Sequence, residues 1–463
     1  MITLPLNAVL RATLVSAFVA GLLIGLLPAS QARAQGLPLI RDTEIELLLK
    51  DYSQSIIRAA GLGTGRVTER IVNNEAFNAF VVDGRNVFMH TGTLVQSNTP
   101  NEVIGVIAHE AGHIAGGHMA ALRSRIAKDQ TRALLIQLLG IGAMIGGAAT
   151  GSSEVGSVGQ GVMMGGNELI MRGLTAERRS QESAADQAGL KYLNATQQSG
   201  LGMLTTFERF AGQELFSDAH KDAFARTHPV ATDRLARLRQ LVETSPYYKN
   251  KDAPELQLRH DMMRAKLSGY MEAPSIVFNR YPVSDTSLPA RYARTIASFR
   301  QGAGGFEQGL AGVNALIRDY PSNPYFWEVK GDFLQKAGRP KEAIGPLRKA
   351  LELHKGDAPL VGVQLAQALL QTKEPQHSDE AIALLRKAVQ REPDNASAYN
   401  TLGQAYYDKG LLPQAELARA QGLFYFGALK QAQEFAKRAQ AGLKPGTPDW
   451  VKADDIVNYK PQT

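Results

Sequence analysis

The sequence predicts a mainly α-helical fold of α+β type with a small β-hairpin or sheet, followed by an α-helical repeat solenoid. Three observations predict it. A capped, apolar helix carries two histidines four residues apart at His109 and His113, two short apolar runs joined by a turn precede it, and a recurring pattern of small and aromatic residues begins near residue 289.

The amino terminus comes first. Arg11 precedes an apolar run from Ala12 to Leu27, and Ala32-Arg33-Ala34 places small residues at the two positions a signal peptidase reads. This pattern predicts a signal peptide over 1–34, with Gln35 the first mature residue; a retained membrane anchor is the alternative. The segment contains Arg11, Arg33 and no acids, so the formal charge falls from +7 to +5 on its removal. So mild and dispersed a balance gives no basis for nucleic-acid binding. The 463 residues include no cysteine, which removes thiolate metal sites and cysteine nucleophiles and leaves stability to the apolar core.

Phe80–Val82 and Val87–Met89 flank Asp83-Gly84-Arg85-Asn86, the signature of a β-hairpin. One of its strands could offer an open edge to an extended polypeptide, or the hairpin could be part of a core sheet. The helix after it has a written start. Thr99 is a hydroxyl N-cap, Pro100 stands at the first helical position, Glu102 comes three residues after the cap, and Val103, Ile104, Val106, Ile107 and Ala108 complete an apolar run. It carries His109-Glu110-Ala111-Gly112-His113. Side chains at i and i+4 share a helix face, so two imidazoles can meet one zinc ion at roughly 2.0–2.1 Å, with Glu110 beside them to take a proton from a water that the metal acidifies. That arrangement reads as a zinc peptidase.

A catalytic zinc takes three protein ligands, and two places compete for the third. Gly116 fits the extended HExxHxxGxxH spacing, but Met119 stands where that motif needs histidine. His118 falls one residue short; on a continuing helix it points about 140° from His113 and reads as structural or solvent-facing. Glu182-Ser183-Ala184-Ala185-Asp186 lies on a helical stretch from about Thr175 to Leu193 and puts two carboxylates on one face, one to ligate the metal and one to accept the second N–H of a ligand histidine. Between the two helices, Ala133–Ala149 is uncharged and Gly140–Gly166 contains ten glycines. The expectation is a buried or amphipathic helix followed by a mobile loop that covers the cleft as a lid; a peripheral membrane contact is the alternative.

HEAGH, then ESAAD some 70 residues on, then Thr227-His228-Pro229 with Arg234, resembles the gluzincin family of HtpX and the CAAX-prenyl endopeptidases, in its soluble periplasmic BepA-like branch. Asn78-Ala79-Phe80 ahead of the hairpin and the extension of the HExxH helix to His118 also match, and the resemblance covers roughly residues 40 to 265. It implies a zincin-like domain in which His109, His113 and Glu182 hold one zinc ion, Glu110 is the general base and Asp186 supports a ligand histidine. It further implies that His228 can fill the open coordination position and keep the site latent. Arg234 would lie near, either stabilising an oxyanion or bracing the helix.

Trp327, Gly331, Leu334, Ala343, Leu347 and Ala350 fall at tetratricopeptide spacing, and Tyr399, Leu402, Gly403, Tyr406 and Ala415 reproduce much of it. About four helix pairs are expected. The resulting organisation is a signal peptide at 1–34, a metallopeptidase domain at 35–268, a linker at 269–288, a repeat domain at 289–443 and a C-terminal tail at 444–463. The resemblance implies an exported endopeptidase that degrades misfolded or stalled outer-membrane proteins, with the repeats engaging those substrates or the β-barrel assembly machinery. A chaperone or assembly factor acting mainly through the repeats, with a latent zinc site, is the other reading.

Overall fold

A computed structural model describes residues 37–63, 65–150, 153–213 and 220–461, with side chains described outside 138–167, 169 and 171. The chain divides into two compact units, residues 1–39 and 40–463. The expected signal peptide lies outside the described residues. The second unit holds the N-terminal core and the repeats.

Helix α1 (Thr43–Ala59) starts at Asp42, whose carboxylate accepts from the Ile45 N–H at 3.0 Å, and it buries Ile45, Leu48, Leu49, Tyr52 and Ile56. A four-stranded sheet has the order β1-β2-β4-β3, with β1 at Leu39–Ile40, β2 at Thr68–Val72, β3 at Ala79–Val81 and β4 at Asn86–His90. β2 runs parallel to β4, and β3 pairs antiparallel with β4 in the register Phe80↔Phe88. The hairpin turn is closed by Asp83, whose carboxylate accepts from the Arg85 and Asn86 N–H groups at 2.9 Å, with Gly84 at φ +72°. β3 is thus a sheet edge.

Helix α2 (Thr91–Gln96) leads to α3 (Pro100–Ala115), capped as its sequence predicts: Thr99 Oγ1 accepts from the Glu102 N–H at 3.3 Å. Val103, Val106, Ile107 and Ala108 are wholly buried, so α3 is the central helix of the N-terminal core. Helices α4 (His118–Thr150) and α5 (Ser153–Ala195) form a long antiparallel hairpin. The glycine-rich stretch expected to be a mobile loop is therefore helical to Thr150 and again from Ser153. Small residues let paired helices approach; at Gly173 a Cβ would stand 2.7 Å from Arg125 Nη2, and Arg125 reaches Glu177 across the hairpin at 3.5 Å. Among the described residues no helix is long and apolar enough to cross a membrane.

After α6 (Leu201–Arg209), α7 (Ala223–Thr227) and α8 (Thr232–Glu243), helix α9 (Pro254–Met271) belongs to two cores at once. Met263 and Leu267 enter the N-terminal core; Met262 and Ala265 enter the first core of the repeats. The stretch expected as a linker at 269–288 folds instead: α10 (Pro274–Arg280) buries Val277 completely in that second core. Eight helices, α11 (Leu288–Phe299), α12 (Gly305–Asp319), α13 (Pro324–Lys336), α14 (Pro340–Leu353), α15 (Pro359–Gln371), α16 (His377–Arg391), α17 (Ala396–Asp408) and α18 (Leu412–Tyr425), make four consecutive pairs. α19 (Leu429–Gly442) begins a fifth. The expected tail supplies its partner, α20 (Pro448–Asn458), which buries Ala453 and Ile456.

The junction between the N-terminal core and the repeats is charged and buried. Lys266 Nζ lies 2.7 Å from Asp42 and 3.3 Å from Glu44; Tyr292 Oη donates to Glu44 at 3.1 Å, and Thr43 Oγ1 donates to Glu328 at 3.1 Å. Burial opposes the charge on Lys266, but Asp42, Glu44 and Glu328 hold its pKa well above the ordinary value. Burial pushes Glu328 up to about 7. Lys266 is thus the cation on which three carboxylates depend. Lys266→Met strands them, and we expect a loss of about 3–5 kcal/mol in the free energy of urea unfolding, against a near-neutral change if the carboxylates re-solvate.

Candidate metal centre

Two glycines set the approach of α3 and α5. A Cβ on Gly112 would stand 2.7 Å from the Ala185 carbonyl oxygen, and one on Gly189 would meet the Ala108 backbone at 3.0 Å. At this crossing the i, i+4 histidines of one helix face the i, i+4 carboxylates of the other. His109 Nε2 lies 3.1 Å from His113 Nε2 and 3.4 Å from Glu182 Oε2, and His113 Nε2 lies 3.4 Å from Glu182 Oε1. His228, in the turn after α7, adds Nδ1 at 3.1 Å from His109 Nε2 and 3.2 Å from Glu182 Oε2. The four residues are buried, and their converging atoms all fall within 4.8 Å of one another. Four donors at 2.0–2.1 Å in a tetrahedron stand about 3.3 Å apart, so this donor set fits one zinc-sized ion.

Each histidine is oriented from behind. His109 Nδ1 donates to Asp186 Oδ1 at 2.9 Å, and His228 Nε2 donates to the Ala79 carbonyl of β3 at 3.0 Å. Behind His113 stands His118, its Nδ1 2.9 Å from His113 Nδ1. The sequence reading of His118 assumed a continuous helix. In fact α3 ends at Ala115 and Gly117 takes φ +64°, which returns His118 onto His113. The Gly116-Gly117 pair was the signal in the sequence that could have shown this.

Arg234, on α8, lies behind the carboxylates. Its Nε and Nη2 donate to Asp186 at 2.5 and 2.7 Å, and its Nη1 donates to the Pro229 carbonyl at 2.8 Å and reaches Glu182 Oε2 at 3.1 Å. Its guanidinium rests over the Phe207 ring at 5.0 Å. Of the two roles open to it, the geometry supports bracing. The electrostatics agree. Burial opposes charge on Glu182 and Asp186, yet the histidines hold Glu182 well below the usual carboxylate range, and Arg234 with His109 lowers Asp186 from its ordinary value. Burial also depresses His109, but bonds to Asp186 and Glu182 push it up to about 9, whereas burial holds His113 below its ordinary value.

Glu110 completes the arrangement. It is fully buried, and neither carboxylate oxygen has a hydrogen-bond partner among the described residues; His228 Nε2 lies 3.4 Å from Oε1. Such a carboxylate is costly unless something else uses it. It lines a cleft of about 470 Å³ with Phe80 and Val81 of β3, Met119, Leu122 and Leu174 of the helical hairpin, and Arg178. Arg178 also donates to the carbonyls of Arg226 and Thr227, which holds the His228 turn against α5.

Residues 46–242 match the family model described as Peptidase family M48, and residues 297–358 and 378–410 match tetratricopeptide repeat models. The chain is similar to the Beta-barrel assembly-enhancing protease of Escherichia coli (strain K12), at 24% identity over 432 residues, 91% of this chain and 84% of that protein. It is similar to its namesake from Yersinia pestis at 23% over 446 residues, 92% of this chain and 85% of that protein. Metalloprotease LoiP of Escherichia coli (strain K12) is 26% identical over 194 residues, 41% of this chain and 70% of that protein. Among solved structures, the crystal structure of MamA aligns with 35% of this chain and 88% of that one at 20% identity; its TM-score of 0.28 is too low to bear on the fold.

The helix crossing generates a direct expectation. Gly112→Ala forces α3 and α5 apart, and overpacking of this kind costs about 1–3 kcal/mol. Thermal unfolding with and without added zinc should show both a lower melting temperature and a smaller zinc-dependent increase than the unsubstituted protein.

Proposed function

We propose that this chain, a metalloprotease built of an M48 peptidase domain and tetratricopeptide repeats and similar to the β-barrel assembly-enhancing proteases, is a periplasmic zinc endopeptidase acting on misfolded or stalled outer-membrane proteins. Export through the signal peptide at 1–34 belongs to this reading, as does recruitment of substrates or of the β-barrel assembly machinery by the repeats. The observation that carries it is the buried pairing, at one cleft, of a convergent His109, His113, Glu182 and His228 donor set with a Glu110 carboxylate that has no hydrogen-bond partner among the described residues.

In this reading His109, His113 and Glu182 hold the ion and Asp186 fixes the His109 tautomer, with Arg234 bracing Asp186 and Glu182 together. When bound, a zinc ion supplies Lewis acidity, which polarises a peptide carbonyl and acidifies a water. Glu110 takes the proton from the water on a carboxylate oxygen and delivers it to the leaving amine. The β3 edge receives the substrate backbone by strand addition, and apolar cleft residues receive a flanking side chain. His228 keeps the resting enzyme latent as the fourth donor.

A second reading has its own support. His228 closes the donor set and also occupies the Ala79 carbonyl, which suits a protein acting mainly as an assembly factor through its repeats. Cleavage of an unfolded casein by zinc-loaded protein separates the two. Glu110→Gln should lose about 10²- to 10⁴-fold in rate with zinc still bound. His228→Ala should gain; a latch worth about 1.4 kcal/mol corresponds to tenfold. No cleavage by the unsubstituted protein or by His228→Ala, with zinc bound, overturns the peptidase reading in favour of the assembly factor.

A further inference from the structure

The three histidines of the cluster each have a second ring nitrogen, and each of these faces a polar group. For His109 the nearest is the Asp186 carboxylate, for His228 the Ala79 carbonyl, with Glu110 Oε1 further off at 3.4 Å, and for His113 the Nδ1 of His118, at 2.9 Å. A neutral imidazole carries one proton. With His113 Nε2 turned into the cluster as a lone pair, that proton must sit on Nδ1, and it needs an acceptor at the point where His118 Nδ1 stands. Two N–H groups facing each other at 2.9 Å would repel. The pair is therefore consistent only with His118 as the neutral tautomer that carries its proton on Nε2 and offers Nδ1 as a lone pair.

The seat of this ring is built into the backbone. The two rings stand nearly perpendicular, at 81°, with centroids 5.0 Å apart. A Cβ on Gly116 would lie 2.4 Å from His118 Nε2, so a side chain there would evict the ring, and Gly117 supplies the left-handed turn that brings it back. His118 also opens α4, the first arm of the helical hairpin, and it lines the cleft. We infer that His118 is a positioning residue of the metal centre: its Nδ1 accepts from His113 Nδ1, fixing the His113 tautomer and ring orientation so that Nε2 is presented to the ion. It does for His113 what Asp186 does for His109, but as a neutral acceptor, and so it adds no charge to the site. This rests on the proposed role of His113 as a ligand.

The test compares two substitutions. His118→Asn keeps an acceptor oxygen close to the position of Nδ1, and His118→Leu keeps similar bulk with no acceptor. Zinc affinity is read by competition with a chromophoric chelator, and ligand geometry by the visible spectrum of the cobalt-substituted protein; circular dichroism and thermal unfolding confirm that both variants fold. Loss of an acceptor behind a ligand histidine typically costs 10- to 100-fold in metal affinity. His118→Leu should show that loss with altered cobalt bands, and His118→Asn should restore most of it; in casein cleavage, kcat should fall with KM little changed. Unchanged affinity and spectrum in His118→Leu overturn the inference, and so does equal loss in both variants, because the ring would then act by shape alone. His113→Ala serves as the reference: if it too binds zinc normally, the reading of the site fails and not merely the role of His118.

Discussion

The close crossing of α3 and α5 is the constraint on which the site depends. Neither helix carries a complete ligand set. α3 supplies two imidazoles and a carboxylate on or beside one face, α5 supplies two carboxylates on another, and only at backbone contact do His109 and His113 reach Glu182 at 3.4 Å. Gly112 and Gly189 permit that contact because a Cβ at either would press on the partner helix. The glycine cost, about 1 kcal/mol each relative to alanine, is small beside what the crossing secures. Once the helices meet, the remaining polar groups fall into place. Asp186 falls under His109 because it lies one turn beyond Glu182, and Arg234 ties both carboxylates to the Pro229 carbonyl just after His228.

A second constraint joins the peptidase to the repeats. Helix α9 gives one face to each core, so no flexible tether separates them. The buried charges at this seam have double duties. Asp42 caps α1 through the Ile45 N–H and pairs with Lys266; Thr43, in the first turn of α1, donates to Glu328 of the repeats. α1 in turn packs on α3. Further out, Arg41 pairs with Glu392 at 2.8 Å, and Arg70 of β2 pairs with Asp394. Orientation of the repeats, from α11 to the turn between α16 and α17, is therefore fixed through polar pairs that are costly to leave unmatched, rather than through apolar area alone.

Much of this was legible in the sequence, for local physical reasons. The cap at Thr99, the apolar run after it and the i, i+4 histidines are short-range signals, and so are the turn at Asp83-Gly84 and the small-residue period of the repeats. What was not legible depended on distance or on a broken assumption. His118 was placed by extrapolating one helix through Gly116-Gly117, where the backbone turns away. The segments around 274–280 and 448–458 looked like linker and tail because their amphipathic faces are short; each becomes a helix by burying one or two side chains, Val277 or Ala453 and Ile456, on a neighbour that sequence alone does not identify. The glycine-rich hairpin read as a loop by composition, although helices that pack along each other tolerate glycine where a solitary helix would not. The contacts of Arg234 with Asp186 and Glu182 join segments far apart in sequence, which no local pattern reveals.

His228 links the cluster to the sheet edge. Its ring uses both nitrogens, Nδ1 toward His109 and Glu182 and Nε2 on the Ala79 carbonyl of β3. Under the proposed function, an extended substrate adding to β3 needs that same carbonyl for one of its N–H groups, so substrate and His228 compete for the acceptor as well as for the coordination position. One neutral hydrogen bond contributes only about 0.5–1.5 kcal/mol net, and several main-chain bonds formed along an edge strand can offset its loss. On that reading, folded proteins, whose edge strands are mostly short, charged or covered, would leave His228 in place. An unpaired strand of an unassembled β-protein is the kind of ligand that would displace it, so a His228 latch would favour the substrates the proposal names.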